Sequence, residues 1–137
     1  GRSAIASAAR FPQTWGNVID ISGELEPDLG GERETLEEGF AGDQAAYDEA
    51  KPLNILAAGA ADPATAALYA DTIAVFGDGT EDEPYLTASR TLSAAAADAG
   101  MAAHLFISPG TGHDSATIEY GFDHAFAVLY PRWGLAP

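Results

Sequence analysis

Residues 72–129 alternate between short apolar runs and longer segments of small residues, and this alternation most restricts the folds open to the chain. Thr72, Ile73, Ala74, Val75 and Phe76 read as a strand stopped by Gly77 and Gly79. Residues 85–99 read as an alanine-rich helix with Gly100 at its C-cap position, where a glycine accepts the left-handed backbone that ends a helix. Residues 101–107 form a further apolar run, and residues 115–129 read as a closing helix stopped by Pro131. Upstream, the β-branched run 17–21 ends at Ser22 and Gly23, and the small residues 2–10 form a helix closed by Pro12. Strands separated by helices argue for an α/β fold, with a mostly parallel sheet flanked by helices.

A chain of 137 residues, 47% of them hydrophobic, suffices for one domain with one core. Residues 1–137 are therefore read as part of a single domain, interrupted by a long excursion over 24–71. Its first half holds Glu24, Glu26, Asp28, Glu32, Glu34, Glu37 and Glu38 against Arg33 alone, too dense a charge to bury, so it is expected to be a solvated surface or cap. Its second half is small and helical. The formal charge of −15 repels phosphate backbones and anionic lipid surfaces, so no nucleic-acid partner is expected. Cysteine is absent, which excludes disulfide and thiolate chemistry but leaves the compartment open. No apolar run reaches membrane-spanning length, and the first residues lack the basic and apolar regions of a signal peptide; if the protein is exported, its signal lies outside this chain. Calcium requires oxygen ligands at ordered spacings, and neither the acidic excursion nor the run Asp78, Gly79, Thr80, Glu81, Asp82 follows the helix-loop-helix pattern. No metal or cofactor is expected.

Two loops carry the chemistry. Pro109, Gly110, Thr111, Gly112, His113 and Asp114 follow directly on an apolar strand. A histidine on such a loop suits a general base, because imidazole titrates near neutrality and the flanking glycines give the ring room to face a cleft. The bland alternative is a turn histidine with no role. The second loop, Gly77 to Pro84, leaves the carboxyl end of the preceding strand, where parallel sheets place their active sites. An acid there can lie beside a histidine after the next strand and orient it, which pairs Asp82 with His113. Asp78 stays open as the alternative acid, and a solvated turn or a helix N-cap stays open for any one of Asp78, Glu81 or Asp82. Asp78 sits nearer the strand end, whereas Asp82 keeps a Gly-x-x-Asp spacing. Asp114 is a poor orienting group, since in an extended loop it points away from its neighbour.

The order of strand, Gly-x-x-Asp loop, helix ending in glycine, strand, Pro-Gly-x-Gly-His-Asp and closing helix resembles the C-terminal half of the α/β-hydrolase esterases, a group that includes the esterase D type enzymes and the secreted mycolyltransferase-like proteins of actinobacteria. The stretch from Phe40 to Tyr47 and that from Lys51 to Leu56 also resemble the connecting segment of this group. The resemblance implies that Asp82 is the triad acid and His113 the base. It also implies that residues 2–10 carry the chain away from the nucleophile. No Gly-x-Ser-x-Gly elbow occurs in the 137 residues, and the family's spacing places the serine three positions before Gly1. Both oxyanion-hole donors would then lie upstream as well. Ser3 is the rival nucleophile, but Ile5 stands where the elbow requires a glycine. His104 reads as a structural strand residue, His124 as a surface or interface residue, and Trp15 and Trp133 as anchors at the edges of the core.

The expectation is therefore a serine-dependent carboxylic ester hydrolase or acyltransferase, acting on a small ester or acyl substrate, to which this chain contributes His113 and Asp82. By itself the chain is expected to be inactive and to need the N-terminal half of the same polypeptide, or a second copy, to complete its sheet. Location outside the cell or in its envelope follows from the resemblance alone. The alternative is a non-catalytic binding or assembly domain of an envelope protein built on the same half-fold.

Overall fold

A computed structural model describes residues 4–135. Helix α1 (Ala4–Arg10) precedes strand β1 (Asn17–Ile21). The acidic half of the excursion forms a single turn, α2 (Glu32–Glu34), that widens into a π-helical turn over Thr35–Gly39. Apart from Thr35 and Leu36 these turns are largely exposed, as their charge requires. The second half is helical throughout: α3 (Gln44–Glu49), α4 (Pro52–Ala61) and α5 (Pro63–Tyr69). Asp43 caps α3 by accepting the Ala46 amide at 3.1 Å, and Asp62 separates α4 from α5 by accepting the Thr65 amide at 2.9 Å. Strand β2 (Ile73–Gly79), helix α6 (Tyr85–Asp98), strand β3 (Ala102–Ser108) and helix α7 (Ser115–Arg132) follow.

The three strands form a parallel sheet in the order β1-β2-β3, with Asn17 opposite Ile73 and Ile73 opposite Ala102. Helices α1, α4, α5 and α6 cover one face. There the inward side chains Val18, Ala74 and Phe76 meet Ile5, Ala8, Leu56, Tyr69, Leu92 and Ala96 in one buried cluster. Burying a side chain such as Phe76 contributes about 1.5–3 kcal/mol. Helix α7 covers the other face, and two glycines let it approach closely. A Cβ on Gly121 would come within 2.7 Å of Ile21 Cδ1, and one on Gly77 within 3.3 Å of the Gly121 Cα. Among the described residues, no strand pairs with the outer edge of β1 or of β3.

Several boundaries differ from the sequence reading. Strand β2 does not stop at Gly77: Gly77, Asp78 and Gly79 pair with Phe106, Ile107 and Ser108, because β3 supplies hydrogen bonds that outweigh the local weakness of glycine. Helix α7 runs one residue past Pro131, which lacks the amide that would bond the Ala127 carbonyl, and the helix ends directly after it. Trp15 and Trp133 are 53% and 45% exposed, so neither is buried at the core edge; the core is filled by smaller side chains. No helix among the described residues is long and apolar enough to cross a membrane.

The glycine contact between α7 and the sheet is directly testable. Gly121→Val is expected to destabilise the chain by about 1–3 kcal/mol through overpacking against Ile21, measured as a lowered urea midpoint at unchanged slope.

Candidate active site

The carboxyl ends of the three parallel strands converge on one polar cluster. After β2 the chain turns at Gly79, and after β3 at Gly110, whose φ of +71° lies in the left-handed region. The two loops are stitched together. The Thr80 amide donates to the Ser108 carbonyl at 3.0 Å, the Glu81 amide to the Thr111 carbonyl at 2.9 Å, and the Gly110 amide to Thr80 Oγ1 at 2.7 Å. A Cβ at Gly79 would overlap the Thr111 carbonyl, so only glycine permits this approach. The histidine loop is held from its other side by α7. Asp114 caps that helix, accepting the Ala116 and Thr117 amides at 2.9 and 3.1 Å, and these bonds with that of the Gly112 amide hold its carboxyl below the usual carboxylate range. Thr117 Oγ1 donates back to the Gly112 carbonyl at 2.6 Å.

This scaffold brings Asp82 and His113 together, with Asp82 Oδ2 lying 3.1 Å from His113 Nδ1. The carboxyl is 3% exposed, while the imidazole side chain is 61% exposed, so the acid is fixed in the protein and the ring projects outward. The ring lines a cavity of about 230 Å³ with Ile21, Ser22, Glu24, Tyr85 and Ile118. Tyr85 packs on the imidazole with ring centroids 4.7 Å apart. Tyr85 and Glu24 also line a neighbouring cleft of about 290 Å³, whose other walls include Leu25, Pro27, Tyr47 and Pro84. The excursion thus furnishes one side of the approach to His113.

Asp78 stands elsewhere than a loop. It lies within β2, 1% exposed, on the face covered by α6. Its Oδ2 accepts from Ser89 Oγ at 2.8 Å and its Oδ1 from the Gly79 amide at 2.9 Å. Burial pushes its carboxyl up to about 6. The adjacent Asp82 adds to the rise through its hydrogen bond and its charge, while the bonds from Ser89 and Gly79 oppose it. Glu81 belongs to the stitched loop and is exposed. Asp114 is committed to capping α7. His104 is exposed on β3, and His124 lies on α7, where its Nδ1 is 2.8 Å from the Tyr120 carbonyl; both stand apart from the cluster. Ser3 falls outside the described residues.

Three residues of the site were not singled out from sequence. Ser22 Oγ donates to Asp82 Oδ2 at 2.8 Å, from a backbone with φ of +50°, a conformation few non-glycine residues adopt. Ser89 lies on the same buried stripe of α6 as Leu86, Leu92 and Ala96, and a hydroxyl among apolar neighbours is the one signal that a buried partner exists. Tyr85 gave no such signal, since its contact with His113 depends on the tertiary fold.

No protein-family model matches the chain. An uncharacterized protein of Corynebacterium glutamicum is 27% identical over 135 residues, covering 98% of this chain and 31% of that protein. A solved structure of a ferulic acid esterase superposes on 94% of this chain with a TM-score of 0.62 at 17% identity, covering 44% of that esterase chain. The chain has an esterase-like α/β fold and spans less than half the length of either protein.

Two outcomes test this description. Gly79→Ala is expected to push the acid and histidine loops apart, so that amide exchange at Thr80 and Glu81 accelerates by at least about tenfold, measured by NMR. An unfolded Asp78 ionises near the ordinary 3.8, whereas the folded one keeps its proton to about 6. Its contribution is therefore fully present below about pH 4 and is lost as pH rises towards 6, by on the order of 2–3 kcal/mol. Asp78→Asn should abolish that component of the pH dependence, followed by urea unfolding between pH 4 and 7.

Proposed function

We propose that this chain supplies the acid and the base of a serine-dependent carboxylic ester hydrolase or acyltransferase, related to the esterase D and mycolyltransferase-like group, whose nucleophile comes from sequence outside residues 1–137. The observation that carries the reading is the contact between buried Asp82 and exposed His113 at the carboxyl end of a parallel sheet. An acid that bonds Nδ1 fixes the tautomer in which Nε2 is the basic nitrogen. On this reading Nε2 takes the proton of an attacking serine hydroxyl and the resulting imidazolium is stabilised by Asp82. The same nitrogen returns the proton to the leaving alkoxide, and the acyl-enzyme then passes to water or to an alcohol.

The placement of α1 supports this account. The Ile5 amide donates to Asp20 Oδ2 at 2.8 Å, and Ala4 shares a cavity with Ser22, Gly23 and Ile118. Ser22 and Ile118 also line the cavity at His113, so α1 begins at the end of the sheet where a serine would have to stand. The outer edge of β1 is where further strands, from the same polypeptide or from a second copy, would extend the sheet. Beside that edge Ile118 and Phe122 on α7 are 48% and 40% exposed, apolar surface suited to such a covering.

The test is to express the chain together with the coding sequence upstream of Gly1, then treat it with a fluorophosphonate probe and with p-nitrophenyl esters. Labelling of one upstream serine and ester turnover are expected, with kcat falling by about 10³–10⁴-fold in His113→Ala and Asp82→Asn. A folded longer protein that neither takes the probe nor turns over esters would overturn the proposal and leave a binding domain.

A further inference from the structure

Beneath Asp82 lies more buried polar structure than a single orienting acid requires. Asp78, Asp82 and Ser89 are 1%, 3% and 0% exposed, and they belong to three successive pieces of chain: β2, the loop after it and α6. Ser22, at the end of β1, bridges the two acids, with its Oγ 2.8 Å from Asp82 Oδ2 and 3.5 Å from Asp78 Oδ1. The groups facing the pair are Ser22 from the end of β1, Ser89 from α6 and His113 from the loop after β3. Among the described residues neither carboxyl has an ion pair with lysine or arginine.

Two neighbouring carboxyls withdrawn from water, without a fixed cation, do not ionise independently: the first charge raises the cost of the second. Their surroundings also differ. Asp82 alone has the imidazole, together with the shorter Ser22 contact at 2.8 Å, whereas Asp78 has the Ser89 hydroxyl, one backbone amide and Ser22 only at 3.5 Å. A charge on Asp82 is thus better supported, and a remaining proton belongs on Asp78. We propose that Asp78 and Asp82 work as one carboxyl pair behind His113, with Asp78 a positioning residue that carries the pair's proton and so sets the charge against which the imidazole is held. Asp78 donates that proton towards Asp82 when protonated and leaves the pair doubly charged when it ionises. This rests on the acid–base reading of Asp82 and His113 for its catalytic meaning, but the shared proton itself does not depend on turnover.

The experiment uses that independence. In carboxyl-labelled chain, ¹³C NMR is expected to show the Asp78 and Asp82 side-chain resonances moving together in a common step near pH 6, in keeping with the raised carboxyl of Asp78. In Asp78→Asn, whose amide offers a permanent donor, the Asp82 resonance should lose that step while the fold is retained. Asp78 titrating near pH 4 with the surface acids, or an Asp82 resonance indifferent to Asp78→Asn, would overturn the proposal whether or not esters are cleaved. In the longer protein, kcat of Asp78→Asn should be reduced less than that of Asp78→Leu, and its pH profile should lose an inflection near pH 6. Asp78→Leu should fall by at least tenfold. Equal losses in both variants with an unaltered pH profile would show a merely structural residue and overturn the positioning role.

Discussion

The close approach of Gly79 to the Thr111 carbonyl is the contact on which the site depends. It lets the loop after β2 lie directly on the loop after β3, so backbone amides of one reach carbonyls of the other. The position of Asp82 relative to His113 is consequently set largely by the backbone, through strand register and two amide–carbonyl bonds, with a third bond from the Gly110 amide to the Thr80 hydroxyl. Side-chain packing has only to hold the ends. Ser22 does so from β1, Thr117 and Asp114 from α7. Each of the three strands therefore contributes at its carboxyl end to one cluster, which is what a parallel sheet makes possible and an antiparallel one does not.

Much of this arrangement was legible in the residues, for reasons that can be stated locally. The run 17–21 coincides with β1 because Val18, Ile19 and Ile21 are β-branched and the run ends against Ser22 and Gly23. The helix over 85–98 was visible from its alanines and from Gly100, which adopts φ of +102° just beyond it. The positions of the two loops follow from the order of strand and helix, and that order alone makes Asp82 and His113 neighbours. The end of β2 was not legible. Glycine, aspartate and glycine form poor strand locally, and only pairing with Phe106, Ile107 and Ser108 keeps them extended. That one misjudged boundary decides the environment of Asp78, which moves from a solvated loop to a buried strand.

The polar partners were beyond local reach for a related reason. Ser22 reads as a strand terminator, and nothing within a few residues of it indicates that its hydroxyl meets an acid sixty positions later. Ser89 carried a faint signal as a hydroxyl within an apolar stripe, but the stripe cannot say which strand residue it faces. The tryptophans illustrate the opposite error. Large aromatic residues are usually buried, and Tyr47, Tyr69 and Phe76 are, yet the two tryptophans lie outside the core cluster and stay half-exposed.

The excursion and the acid–base pair are built from separate materials. Residues 24–32, with Tyr47, wall the cleft beside His113, yet Asp82, His113 and their supports Ser22, Ser89 and Thr117 all belong to the sheet ends, α6 and α7. Tyr85 and Glu24 line both the cavity at His113 and the cleft beside it. The excursion can therefore change in length and composition without disturbing the contact between Asp82 and His113. Lineages sharing this scaffold are free to diverge in what they admit to the cleft while conserving what awaits it there.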